Sequence, residues 1–365
     1  MILLVVEQLR RRVPGGIGRY TTGLLQGLAQ LAEGGETVPA ITLYASRARG
    51  SPDPLAVHGL RLRASPLPGP VLSRAWDLGL LRAPGGSDLV HATSTAAPPT
   101  SAPLVVTVHD TAWRQVPGSF PTRGRRWHEA ALRRARRRAA ALVVPSEAVA
   151  HELVAAGVDP AAVVVIAHGA DHLPAPDHTG ASALLERLGV GGQFLLSVGT
   201  LEPRKNLVRL VAGYERARPR LPEPWPLVVV GPRGWGPEGP PSSAATGVVW
   251  AGPVDDATLA ALYARARLLA YVPLVEGFGL PPVEAMRQGT PVLSSALPSL
   301  GAAARVVDPD RVEDIAAGLV EVATDETLRR QLVARGTARA DELTWKASAR
   351  AHRDLWASVT ASAVA

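Results

Sequence analysis

The chain has 365 residues, a formal charge of +7, 47% hydrophobic residues and no cysteine. That length exceeds one ordinary core and suits two, while the lack of cysteine excludes a disulfide scaffold and a thiolate zinc site and fits a reducing compartment. Of the 39 basic residues all but Lys205 and Lys346 are arginine, a balance that favours nucleic acid, acidic membrane or phosphorylated small molecules as partners; aromatics at 4% and no recognisable nucleic-acid module argue against the first.

Strands are expected at 2–6, 41–45, 104–108, 141–144, 163–166, 194–199, 227–230, 248–251, 268–272 and 291–294, with helices in the gaps. The N-terminal apolar run is six residues, too short for a signal-peptide core or a membrane span, so a cytoplasmic protein is expected. In 17–32, Ile17, Tyr20, Leu24, Leu28 and Leu31 fall on one helical face. Strand–helix alternation argues for parallel sheets covered on both faces. The alternation pauses at HLPAPDHTG, 172–180, which has linker character. Two doubly wound α/β domains are therefore expected, over 1–175 and 180–342. The final segment, 343–365, reads as a helix with Trp345, Ala349, His352 and Trp356 on one stripe, returning to the first domain. PEPWP (222–226) and GPEGPPSS (236–243) read as loops.

Three strand-to-helix turns draw attention, because open parallel sheets bind ligands beyond the carboxyl ends of their strands. PGGIGRY (14–20) offers close backbone approach and a helix start, but it lacks both a Walker lysine and the third glycine of the dinucleotide fingerprint. GTLEPRKN (199–206) places Arg204 and Lys205 just before a helix that Asn206 suits as N-cap. Positive charge there adds to the helix dipole, a cost that a bound phosphate would reverse. In a chain that defaults to arginine, a lysine suggests a need for a compact point charge. EGFGLPPVE (276–284) begins a helix at Pro281 and ends it at Gly289. Its prolines have no N–H, so any anion donors must come from Phe278, Gly279, Leu280 and Val283. Glu276 and Glu284 would repel phosphate but can accept hydrogen bonds from hydroxyls. A sugar nucleotide satisfies that layout. Glu284 also has a plain structural reading, as an acid in the first turn of a helix.

With PGGIGRY, VTVHD (106–110), VVPSEAVAHEL (143–153), VVVIAHGAD (163–171), SVGTLEPRKN (197–206), VVWAGPVDDATLAALYARA (248–266) and EGFGLPPVEAMRQGTPVLSS (276–295), the chain resembles the retaining GT-B glycosyltransferases of the family-4 type. The GGIGRY and GTLEPRKN variants look most like the bacterial mannosyltransferase-like branch. The resemblance implies two facing Rossmann-like domains, the donor held mainly by the second, and no metal or other cofactor. It implies a front-side reaction that retains anomeric configuration, with the leaving diphosphate taking the acceptor proton. Carried over by position, His109, Glu276 and Lys205 are the catalytic residues, with His109 at the sugar and Glu276 on its hydroxyls. Lys205 and Arg204 meet the phosphates, Gly16 lets the first domain approach them, the backbone near Val254 meets the base, and Glu284 holds the ribose. Thr200, Phe278, Gly279 and Leu280 complete the donor site. Many relatives carry arginine where this chain has Thr200; Arg204 or Arg233 is expected to substitute. His91, His168 and His172 show no metal-binding spacing.

TRGRRWHEAALRRARRRAA (122–140) reads as a basic helix, either a solvated face or a contact to an anionic membrane surface or a phosphorylated lipid-linked acceptor, with Trp113, Phe120 and Trp127 nearby to insert. The expected reaction moves a hexose, mannose from GDP-mannose first and UDP-glucose as the rival donor, onto a glycan or lipid-linked acceptor. Acceptor groups are expected in 47–75 and 111–125. A nucleotide-sugar epimerase and a non-catalytic scaffold subunit are the alternatives. The expected location is cytoplasmic, peripheral on the inner face of the membrane.

Overall fold

The computed structural model describes residues 1–48, 50, 53–234 and 247–364; the loop expected at 236–243 lies outside them. In chain order the elements are β1 (Ile2–Val5), α1 (Gly15–Glu33), β2 (Ile41–Ser46), β3 (Arg61–Ser65), α2 (Gly69–Asp77), β4 (Leu89–Ala92), β5 (Leu104–Thr107), α3 (Ala112–Gln115), α4 (Thr122–Arg138), β6 (Ala141–Val144), α5 (Glu147–Ala155) and β7 (Val163–Val165). They continue with α6 (His178–Arg187), β8 (Leu195–Val198), α7 (Leu207–Ala217), β9 (Leu227–Val230), β10 (Val248–Gly252), α8 (Asp256–Arg265), β11 (Leu268–Tyr271), α9 (Leu280–Arg287), β12 (Val292–Ser294), β13 (Arg305–Val306), α10 (Val312–Thr324), α11 (Glu326–Glu342) and α12 (Trp345–Val364).

The chain divides into two compact units. One comprises Met1–Arg114, Phe120–Gly169 and Trp345–Ala365, and the other Gln115–Ser119 with Ala170–Thr344. The first unit holds a parallel sheet in the order β3-β2-β1-β4-β5-β6-β7, and the second a parallel sheet in the order β10-β9-β8-β11-β12-β13. Most strands are buried along their whole length, as parallel strands covered on both faces must be. Among the described residues all ten expected strands form, and three more join them: the polar edge strand β3, the short β4, and the two-residue β13. In each sheet the direction of winding reverses once, between β1 and β4 and between β8 and β11. A crevice opens at such a point because the chains leaving the two strands depart in opposite directions.

In the first unit Tyr20, Leu24, Leu28 and Leu31 of α1 are buried, and Ile17 is half-buried. Helix α12 packs on α1 through Trp345, Ala349, His352 and Trp356, all buried. The approach needs glycine. A Cβ on Gly23 would lie 2.1 Å from the Trp345 ring, and one on Gly27 2.1 Å from the Trp345 carbonyl oxygen. Helix α9 starts at Leu280, a residue before the expected Pro281, from a left-handed Gly279 (φ 91°), and ends at Arg287, two residues before the left-handed Gly289 (φ 76°).

Candidate active site

At the reversal point of the second sheet, β8 and β11 are hydrogen-bonded neighbours, so residues 199–206 and 272–279 emerge side by side. The Leu274 N–H donates to the Arg204 carbonyl at 2.8 Å and fastens the two segments. Asn206 joins a short 3-10 turn, Pro203–Lys205, to α7. It is not the side-chain N-cap that its residue type suggests. Its backbone is left-handed (φ 59°), and its Nδ2 donates to the carbonyls of Val272 (3.0 Å) and Pro309 (2.7 Å). Asparagine tolerates that conformation better than most residues, and its amide here locks the turn against β11.

This scaffold brings two of the expected residues, Lys205 and Arg204, onto one carboxylate oxygen of a third, Glu276. Glu276 Oε1 accepts from Lys205 Nζ, from Arg204 at 2.8 Å and from the Tyr271 hydroxyl at 2.8 Å. Lys205 also donates to the Tyr271 oxygen at 2.7 Å, and Arg204 reaches Glu202 at 2.9 Å. Burial alone would raise the Glu276 pKa, but the charges of Arg204 and Lys205 overcome it and hold the carboxyl down at about 2. Burial pushes Lys205 down from its usual range, against the pull of Glu276 and with a push from Arg204. Burial, with the Glu276 charge beside it, raises Tyr271 well above the usual phenol range. A small pocket at this point is lined by Ser197, Gly199, Thr200, Lys205, Tyr271 and Val272. Of the two arginines considered in place of one at Thr200, Arg204 shares the Lys205 cluster, whereas Arg233 lies over the Trp250 ring, 5.2 Å from its centroid.

Glu284 lies beyond the first turn of α9 and is 1% exposed, so a favourable first-turn position does not explain it. Its Oε2 accepts from the Tyr263 hydroxyl at 2.8 Å, and its Oε1 is 3.0 Å from His172 Nε2. Phe278 and Leu280 are buried, and the Phe278 carbonyl accepts from Ser299 Oγ at 2.6 Å. A Cβ on Gly279 would meet Leu297 at 2.8 Å, so this loop is tightly seated. Val254 is half-buried in the loop between β10 and α8.

The remaining two candidates belong to the first unit. Gly16 is exposed in the first turn of α1, with nothing within 4 Å of a Cβ built on it; the left-handed residue is its neighbour Gly15 (φ 62°). His109 follows β5 and is half-buried, with Nε2 2.9 Å from the Thr93 carbonyl. A carbonyl only accepts, so Nε2 carries the proton and Nδ1 of the neutral ring is an acceptor. Burial lowers the His109 pKa. Its ring sits edge-on to Tyr20 with centroids 4.8 Å apart.

Behind it lies a hydrogen-bond chain with one consistent direction. Trp356 Nε1 can only donate, and it points at His91 Nδ1 (3.2 Å), so the His91 proton is on Nε2, 2.9 Å from Thr107 Oγ1. At the other end His352 Nδ1 donates to the Ser348 carbonyl (2.8 Å), which leaves Nε2 to accept from the Tyr20 hydroxyl (2.8 Å). Thr107 therefore donates to Tyr20 across 2.9 Å. Both imidazoles are neutral, and burial lowers the pKa of each, His352 to about 4. Burial likewise raises the Tyr20 phenol.

Sequence reasoning missed Tyr271, Tyr263, Glu202 and His172 as partners of the acids and cations. Tyr271 was accessible, as the last polar side chain of a strand ending at the expected site. Glu202 lies two residues before Arg204 in the same turn, whereas Tyr263 and His172 reach Glu284 from other segments. Among the described residues no group of three or more His, Cys, Asp or Glu is placed to hold a metal ion.

Two family models match the chain: "Glycosyltransferase Family 4" over residues 14–172 and "Glycosyl transferases group 1" over 186–339. An O-antigen chain mannosyltransferase B of Escherichia coli is 36% identical over 162 residues, 42% of this chain and 42% of that protein. The chain thus spans less than half the length of that relative. A phosphatidyl-myo-inositol mannosyltransferase of Mycolicibacterium smegmatis is 30% identical over 300 residues, 76% of this chain and 70% of that protein. The solved structure of Anabaena HepE in complex with UDP and glucose superimposes with a TM-score of 0.70 at 18% identity, covering 98% of this chain and 99% of that one. Two parallel-sheet Rossmann-like units of this kind define a GT-B glycosyltransferase. The chain belongs to glycosyltransferase family 4.

Proposed function

We propose that this glycosyltransferase moves mannose from GDP-mannose, with retention of configuration, onto a glycan or lipid-linked acceptor. The observation that carries the reading is the convergence of Lys205, Arg204 and Tyr271 on Glu276 at the strand reversal of the second unit. Cleaving a glycosyl–diphosphate bond loads negative charge on the leaving oxygen, and preorganised cations and dipoles out of water stabilise that charge most effectively. Lys205 and Arg204 supply it there, Arg204 in place of the arginine that relatives carry at the Thr200 position. Glu276 turns to the sugar hydroxyls, and Glu284 accepts from the ribose in exchange for Tyr263 and His172. The loop of Phe278, Gly279 and Leu280 seats the phosphates, and the backbone near Val254 meets the base.

His109 is assigned to the sugar by family position, with Nδ1 accepting from a hydroxyl, and Gly16 to the diphosphate. In the step itself, the bond from the anomeric carbon to the diphosphate oxygen breaks. A bond to the acceptor oxygen forms on the same face, and the acceptor proton passes to the departing phosphate. No metal is called for in this assignment, since the chain's own cations do the neutralising.

The mannosyltransferases among its relatives support mannose. Exposed arginines along α4 support peripheral attachment to an anionic cytoplasmic leaflet. No helix among the described residues is long and apolar enough to cross a membrane. A thermal-shift panel of nucleotide sugars, run without metal, tests the donor. GDP-mannose is expected to raise the Tm most. A larger shift with UDP-glucose would reassign the donor, and no shift with any nucleotide sugar would remove the reading.

A further inference from the structure

The aromatics nearest the basic helix are not available to insert into a bilayer. Trp113 is buried and stacked on His128, with centroids 4.7 Å apart. Phe120 packs against the core of the first unit. The Trp127 Nε1 donates to Asp77 at 2.8 Å. Other apolar side chains stand out beside them. Helix α2 buries Leu72 and Trp76 on one face, yet Val71, Leu78 and Leu80 are 51%, 54% and 76% exposed. Val71 and Leu78 are seven residues apart, close to two helical turns, so they share a stripe.

The end of α2 is rigidly built. Gly79 is left-handed (φ 74°), its N–H donates to the Trp76 carbonyl at 3.0 Å, and the Leu80 N–H donates to the Ala75 carbonyl at 2.9 Å. In this kind of helix ending the residue after the glycine usually folds back onto the helix. Leu80 instead stays in solvent. Asp77, the residue before Leu78, is bound by Trp127 and Arg134 of α4, so the turn sits against the basic helix. There Arg126, Arg133 and Arg137 are exposed, with spacings of seven and four that put them on one face. Arg74 and Arg82 flank the leucines and are exposed as well. The acid on that stretch of α4, Glu129, is engaged by Arg114 at 2.6 Å.

We infer that Leu78-Gly79-Leu80 is an apolar tip that enters the surface of an anionic bilayer, with the surrounding arginines on lipid phosphates. The inference rests on the reading of α4 as a membrane-facing helix and adds the element that penetrates. Charge complementarity selects the occupant. Arginines ringing exposed leucines suit a surface whose outer layer is anionic and whose next layer is hydrocarbon. Nucleic acid would leave the leucines wet.

The test is co-sedimentation of the full chain with vesicles of phosphatidylglycerol and phosphatidylcholine, and with phosphatidylcholine alone. Wild type is expected to bind the anionic vesicles in a salt-sensitive way and the neutral ones weakly. The Leu78→Asn/Leu80→Asn double variant is expected to lose roughly tenfold in partitioning per leucine while keeping its salt sensitivity. Arg126→Gln/Arg133→Gln is expected to lose salt-sensitive binding. Equal binding by the leucine variant would overturn the tip and leave the α4 reading standing. No binding by wild type would overturn both. Because the chain has no cysteine, a fluorophore on Leu80→Cys gives an independent readout. Its emission is expected to shift to the blue on anionic vesicles, and an unchanged emission would place the turn outside the bilayer.

Discussion

Lys205, Arg204 and Glu276 in the second unit, and Tyr20, His91 and His352 in the first, are alike in being withdrawn from water, but only the first set is charged. The first set is ionic, with the Lys205 and Glu276 side chains 17% and 10% exposed. The second is neutral, and every proton in it has a single assigned place. An ion pair in low dielectric repays its desolvation only with good geometry and further hydrogen bonds, and it is available to a charged ligand that offers better partners. A neutral network offers such a ligand nothing, and its value is rigidity. The difference teaches where exchange is built in. Glu276 occupies the cations to which the proposed function gives the diphosphate, whereas the histidine chain ties β4, β5, α1 and α12 into one block behind His109.

The largest expected way to break this contrast is Lys205→Ala. Loss of one charge-stabilising donor commonly costs on the order of 100-fold or more in turnover. The fold should persist, because Arg204 and Tyr271 still hold Glu276; kcat and a thermal melt check the two halves. Acid should then separate the clusters. His352 takes a proton at 6.5 when unfolded but only at about 4 when folded. Its contribution is therefore full above pH 6.5 and declines as pH falls towards 4, by about 3 kcal/mol in all. Glu276, lowered from 4.5 to about 2, contributes fully above pH 4.5 and declines as pH falls towards 2. Hydrogen exchange, corrected for intrinsic rate, should show α1 and α12 loosening at pH 5 while α7 and α9 hold. Equal loosening would break the contrast.

How far this was legible in the sequence differs between the two clusters. The ionic residues sit in two short segments, 199–206 and 276–284, whose strand–turn–helix setting and charge pattern can be read locally. That Glu276 would meet Lys205 could not be read, because 71 residues separate them. The neutral chain draws on residues 20, 91, 107, 348, 352 and 356, of which only Tyr20, on the α1 stripe, and His352 and Trp356, on the α12 stripe, announced their burial. Strand β4, which carries His91 and forms one side of the first reversal point, is four residues long and interrupted by histidine. Strand β3 is an edge strand with two arginines in five residues, so no apolar run marks it. By type alone the aromatics near the arginine run suit a membrane surface, but their rings and N–H groups are spent on His128, Asp77 and the core.

A smaller effect probes the block itself. Gly23→Ala would place a methyl inside the Trp345 ring. Such overpacking costs roughly 1–3 kcal/mol, measurable as a lower midpoint in urea. The smallest effect probes the exchange. Glu276→Gln frees Lys205 from its competitor, so GDP without a sugar should bind several-fold tighter even though turnover of the donor falls. Weaker GDP binding would mean that Glu276 is no stand-in for phosphate.

The most direct measurement is calorimetric titration of GDP into wild type and Lys205→Ala. The account predicts measurable binding to the wild type, weakened at least tenfold by the substitution in a protein that melts normally. Equal affinity in both proteins would contradict a diphosphate site at Lys205.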